Sequence, residues 1–167
     1  MLLLAGLLLG SCGYRFTADS GTRLAANQTI WVPYLKNATV HANASVLLKR
    51  ALFEQFAAQR GIAAATAPEQ ADFVIEGSLT SYGASVVSYS AADTATEYRL
   101  TLTAQLVVRK RGEDKQATPL WQGTLTTWQD YPVGATLELQ RSSEDAAMQA
   151  ACRKMAQQLI WHLEQQY

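Results

Sequence analysis

The residue with the most definite chemistry in this chain is Cys12. It follows Leu9, Gly10 and Ser11, a large aliphatic and two small residues, the order of a lipobox at which a signal peptidase cuts to free a cysteine for acylation. Residues 1–11 form an apolar run of export-signal length, too short to span a bilayer as a helix, which takes about 20 residues. No Lys or Arg precedes Arg15. The expected organisation is a leader over 1–11 that is removed, a lipidated Cys12 at the head of a polar tether over 12–28, and one domain over 29–167. Acyl chains, palmitate among them, each contribute about 0.8 kcal/mol per buried CH₂, so more than one makes a stable anchor.

The other reactive residue types are sparse. His41 falls in a loop and His162 near the C-terminus of the chain, with no nucleophile spaced to work with either. No Cys, His, Asp and Glu spacing offers a metal site, and no Gly-rich strand-to-helix turn suits a phosphate. The expectation is therefore a protein without catalysis, metal or cofactor. Lys plus Arg and Asp plus Glu both number 14, which removes the electrostatic case for nucleic acid. With Cys12 acylated, Cys152 is a lone thiol in an oxidising compartment and is expected in the core. The basic run Arg109, Lys110 and Arg111 shares its loop with Glu113 and Asp114, as a solvated hairpin tip does.

The elements that position these residues follow from periodicity. Residues 29–35 (TIWVPYL) read as an edge strand because Pro33 cannot donate to a ladder. Over 44–60, Leu48, Leu52 and Phe56 recur at four-residue steps, predicting a helix closed by Gly61. Strict alternation predicts strands over 72–81 and 96–109, and a further strand over 120–128 after a charged hairpin loop. Ser142 or Ser143 is expected to cap a last helix to about residue 165, with Met148, Cys152, Met155, Leu159 and Leu163 as its buried stripe. The order β-α-β-β-β-α predicts an α+β two-layer sandwich, with two helices on one face of a four-stranded, mostly antiparallel sheet.

Such a sheet leaves one face open. Here that face is polar but largely uncharged, carrying Thr101, Thr103 and Gln105 on the central strand and Thr124 and Thr126 beside it. Trp128, at a strand end, and Trp161, off the apolar stripe of the last helix, are candidate contact residues with this face.

The segments Cys12-Gly13-Tyr14, 71–77 (ADFVIEG), 96–100 (TEYRL), 131–133 (YPV) and 156–160 (AQQLI) together resemble the LptE family of lipopolysaccharide-assembly lipoproteins. The resemblance spans nearly the whole mature chain. It implies an outer-membrane lipoprotein of a Gram-negative-type bacterium that plugs the large β-barrel LptD, helps it assemble and binds lipopolysaccharide in transit, with no catalytic role. In the family, basic residues in the loops before the central strand and before the last helix meet lipopolysaccharide. Here loop 89–95 contains no Lys or Arg, and Arg141 adjoins the matching position, Gln140. Arg141 and Arg99 are the candidate lipopolysaccharide-binding residues, and Thr101, Thr103, Gln105, Trp128 and Trp161 the candidate barrel contacts. Segment 71–77 also resembles a strand of periplasmic lipoproteins of the CsgG and LpoB type, secretion components or activators of peptidoglycan synthesis; the Cys-Gly-Tyr and Thr-Glu-Tyr-Arg segments favour LptE.

Overall fold

The computed structural model describes residues 24–112 and 117–165; the leader and Cys12 lie outside the described residues. Helix α1 (Ala44–Arg60) buries Ala44, Leu48, Ala51, Leu52 and Phe56, the four-residue stripe the sequence predicts. Gly61 ends it in the left-handed conformation at φ 64°, donating its N–H to the Ala57 carbonyl at 3.0 Å. Helix α2 (Leu137–Gln165) is longer than expected. Its cap is Thr136, whose Oγ1 accepts from Leu139 N at 3.3 Å, and Ser142 and Ser143 fall inside the helix.

The sheet corrects the expectation of four mostly antiparallel strands: among the described residues it has six, and it is mixed. β4 (Phe73–Tyr89), β5 (Ala95–Lys110) and β6 (Trp121–Pro132) form an antiparallel meander. On the other side of β4 lie β1 (Thr29–Trp31) and β2 (Lys36–Asn37), both parallel to it, and β3 (Ala63–Ala64) lies parallel to β1. Two causes account for the difference. Pro33 has no N–H to give, so the strand expected over 29–35 stops at Trp31, beside Val74, and the chain pairs with β4 again only beyond the expected range, at Lys36 opposite Ser78. The two alanines of β3 have no side-chain signature of a strand; the Ala63 and Ala65 N–H groups find the carbonyls of Gln28 and Ile30 at 3.2 and 2.8 Å.

β4 runs beyond the expected stop near Ser81 because a bulge between Leu79 and Ser81 changes its parity. Before the bulge Phe73, Ile75 and Leu79 face the helices; after it Tyr82, Ala84 and Val86 stand opposite the inward-facing Leu102, Leu100 and Tyr98. Simple alternation cannot follow a strand through that shift.

The core is a single cluster between the inner face of the sheet and both helices. Leu100, Leu102, Ala104, Leu106 and Val108 line β5, and Leu24, ahead of β1, is buried with them. Each fully buried Leu stabilises the fold by about 1.5–3 kcal/mol. Cys152 is fully buried as expected, and burial pushes its thiol pKa up to about 12. The one buried polar side chain named among the core residues, Thr127, donates to the Ala151 carbonyl of α2 at 3.1 Å and ties β6 to that helix.

Asp72 fastens the short strands to the meander. Its carboxylate accepts from Thr29 N at 2.8 Å and from the Thr29 hydroxyl at 3.0 Å, and its carbonyl accepts from Arg111 N at 2.9 Å. Gly77 permits the close β4–β5 approach, since a Cβ there collides with the carbonyl oxygen of Gln105. Gly77→Ala is therefore expected to destabilise the fold by about 2–3 kcal/mol. Urea unfolding measures this, and a midpoint equal to wild type contradicts it.

Candidate interaction surface

The open face is built by alternation on two paired strands. The register sets Arg99 opposite Asp130, Thr101 opposite Trp128, Thr103 opposite Thr126 and Gln105 opposite Thr124. Because the partners of these residues along β5 are the buried leucines, all eight point away from the helices. The structure thus brings Thr101, Thr103, Gln105 and Trp128 onto one surface. Thr103 and Thr126 share a hydroxyl–hydroxyl hydrogen bond of 3.1 Å, and Thr80 donates to the Thr103 carbonyl at 3.3 Å. Between Arg99 and Gln105 the outward side chains of β5 are thus threonines and an amide, a stretch that is polar without charge.

One end of this face is organised around Trp128, which is 49% exposed. The Arg99 guanidinium lies 4.2 Å from its ring centroid and grips Asp130 with two hydrogen bonds, Nε to Oδ1 at 2.7 Å and Nη2 to Oδ2 at 2.8 Å. From the helix layer, Lys154 reaches the same ring at 5.0 Å and donates to the Trp128 carbonyl at 3.1 Å. The hydrogen bonds from Arg99 hold the Asp130 carboxyl below its ordinary range, and the same bonds raise the Arg99 guanidinium. Lys154 was not among the sequence candidates: nothing in its spacing on α2 signals a contact around the edge of β6.

The remaining candidates are dispersed. Trp161 lies on α2, edge-on to His162 at 4.9 Å, beside an open groove of about 580 Å³ also lined by Gln59, Lys154 and Gln158. It is therefore on the helix layer rather than the open sheet face, and His162 stacks on Trp121 at 5.7 Å. Arg141 is exposed near the start of α2, at the same end of the molecule as Arg99 but across the sheet from it. Arg109 donates to the Ala117 carbonyl at 2.7 Å and Arg111 to the Glu69 carbonyl, so both guanidiniums help hold the ends of the hairpin loop.

The end of the sheet near Arg141 is also where two of the segments noted in the sequence meet. Tyr98 stacks on Tyr131 at 5.8 Å, Glu97 stands opposite Pro132, and Val133 N donates to the Thr96 carbonyl at 3.0 Å. Burial, with the charge of Glu144, raises the Tyr131 phenol, and burial with a hydrogen bond to Glu144 raises that of Tyr82. Beyond these tyrosines, Tyr89, Leu137 and Leu139 are exposed, an apolar rim that sequence alternation did not single out.

The fold is a sheet with one face buried under two helices and one polar face open. The family model for LptE, lipopolysaccharide-assembly, matches residues 27–163, and the chain belongs to that family. Members are non-catalytic assembly lipoproteins; this chain is one of them, lipid-anchored at the outer membrane of a Gram-negative bacterium, and not an enzyme. No curated protein sequence matches it. Among solved structures it is similar to the hypothetical protein CT253 of Chlamydia trachomatis (TM-score 0.56, 10% identity, 83% of this chain and 96% of that one). It is also similar to an uncharacterized lipoprotein B of Nitrosomonas europaea (0.54, 12%, 89% and 90%). A third is a putative lipoprotein of Caulobacter crescentus (0.52, 12%, 78% and 88%). At these identities the likenesses show the fold.

Arg99→Ala is expected to release Asp130 from its fork, so the carboxyl should titrate at a higher pH than in wild type. An NMR titration of the Asp130 side chain reads this directly; an unchanged midpoint means that Arg99 does not set the charge at this end of the face.

Proposed function

We propose that this protein plugs and helps assemble an outer-membrane β-barrel of the LptD type and takes part in lipopolysaccharide transport to the outer leaflet, anchored through lipid on Cys12 after removal of residues 1–11, with a tether after Cys12 that ends before the buried Leu24 rather than at residue 28. The observation that carries the reading is the open face of β5 and β6, where Thr101, Thr103 and Gln105 stand opposite Trp128, Thr126 and Thr124, a polar stretch without charge. Barrel lumens of the outer membrane are polar, and a surface of this kind lies against such a wall without a desolvation penalty for unpaired charges. Thr101, Thr103, Gln105 and Trp128 are the contacts on this face. Trp161 is a separate contact from the helix layer.

The lipopolysaccharide phosphates are met at the end where Arg141 and Arg99 lie, by charge-assisted hydrogen bonds. Arg141 is the primary cation there, since the Arg99 fork is held by Asp130. Membership in a lipopolysaccharide-assembly family supports the same reading.

Purification of the full-length lipoprotein from its own membranes in mild detergent tests it. The expected result is co-purification of one large β-barrel whose assembly fails when the lipoprotein is depleted, with the Arg141→Ala form binding purified lipopolysaccharide at least about tenfold more weakly, as loss of a charged hydrogen bond implies. Recovery of a peptidoglycan synthase, with the barrel assembled normally on depletion, overturns the reading.

A further inference from the structure

The two outer edges of this sheet are treated differently. β6 ends the sheet on one side, and there Lys154 donates to the Trp128 carbonyl, with Asp130 and Pro132 further along the strand. Charge, proline and a capped carbonyl are the usual guards of an edge. On the other side, β4 is covered by β1 and β2 only as far as Leu79, where the Ala38 N–H takes the last carbonyl at 3.0 Å. Among the described residues nothing pairs with 80–89 on the side away from β5.

That open stretch lacks the usual guards. From 77 to 92 the sequence GSLTSYGASVVSYSAA has no Asp, Glu, Lys, Arg, His or Pro. Between the bulge at Leu79/Ser81 and the next register shift, at Val86/Ser88, residues 81–86 keep an unbroken register with β5, from Ser81 opposite Thr103 to Val86 opposite Tyr98. Ser81, Gly83 and Ser85 stand in the rows of Thr103, Thr101 and Arg99, so the edge continues the open face. Gly83 has no atom within 4 Å of where a Cβ would project from the face, so a larger side chain is accommodated there without disturbing the strand.

We infer that the edge of β4 over 81–86 is a strand-addition site, which an extended, uncharged segment of the barrel partner fills by backbone hydrogen bonding. The inference rests on the barrel reading above and adds to it a specific mode of contact. An uncharged occupant follows from the absence of any charge over 77–92 to pair with. The barrel, rather than another partner, follows from the continuity of this edge with the threonine-bearing face. Main-chain pairing supplies the affinity in such additions.

The test is hydrogen exchange on the full-length lipoprotein, alone and in its barrel complex in the same detergent. The backbone amides of 81–86 that point away from β5 are expected to exchange at least about tenfold more slowly in the complex than in the isolated protein. Gly83→Lys, which puts an edge-guarding charge into open space, is expected to cut barrel recovery at least about tenfold, while Gly83→Ala retains it. A complex that forms with these amides unprotected, or with Gly83→Lys as competent as wild type, overturns the inference and leaves the barrel reading standing. Protection already present in the isolated protein assigns the edge to a second copy or to another part of this chain, and also overturns it. If wild-type protein yields no barrel complex at all, the barrel reading falls first and the inference with it.

Discussion

Burial of the inner face of β5 is the constraint on which the rest of the structure depends. Leu100, Leu102, Ala104, Leu106 and Val108 must leave water together, and the antiparallel pairing with β4 and β6 places Phe73, Ile75, Leu79, Leu125 and Tyr131 in the same plane. A face of that size is covered by two helices lying side by side, whose own stripes, through Phe56 and through Cys152 and Met155, complete the core. Period two then dictates the opposite face: once every second residue of β5 is committed to the core, Arg99, Thr101, Thr103 and Gln105 are committed to the outside. The functional surface is a consequence of the packing.

What could be read from the sequence is what depends on strong local periodicity. Helix α1 has its predicted limits because Leu48, Leu52 and Phe56 mark one face and Gly61 supplies the left-handed stop. β5 extends only one residue at each end beyond its alternating pattern. The sheet was misjudged where pairing rather than pattern decides. β3 exists because β1 offers free backbone groups to Ala63 and Ala65, and β1 and β2 are separate because Pro33 interrupts one ladder. α2 begins five residues before Ser142 because Thr136 caps it, even though Leu137 and Leu139 stay exposed and break the apolar pattern expected of a packed helix.

The candidate surface shows the same division. Alternation was enough to put Thr101, Thr103 and Gln105 on one face, and the register added Trp128 to them. No sequence pattern could place Lys154 against Trp128, or give Arg99 to Asp130, since these pairs join residues far apart in the chain through the geometry of an edge. Trp161, off the apolar stripe of the last helix in the sequence, is exposed on α2, on the helix layer. In the first turns of α2, close in sequence to Arg141, Leu137 and Leu139 are exposed apolar side chains.

The central claim is that the threonine-bearing face lies against the wall of a barrel. A photo-crosslinking amino acid placed in living cells at Thr103, at the middle of that face, tests it most directly, with the same probe at the exposed Arg50 of α1 for comparison. The account predicts an adduct from Thr103 with a single large outer-membrane β-barrel, at a higher yield than from Arg50. No barrel adduct from Thr103, or one that forms from Arg50 instead, contradicts it.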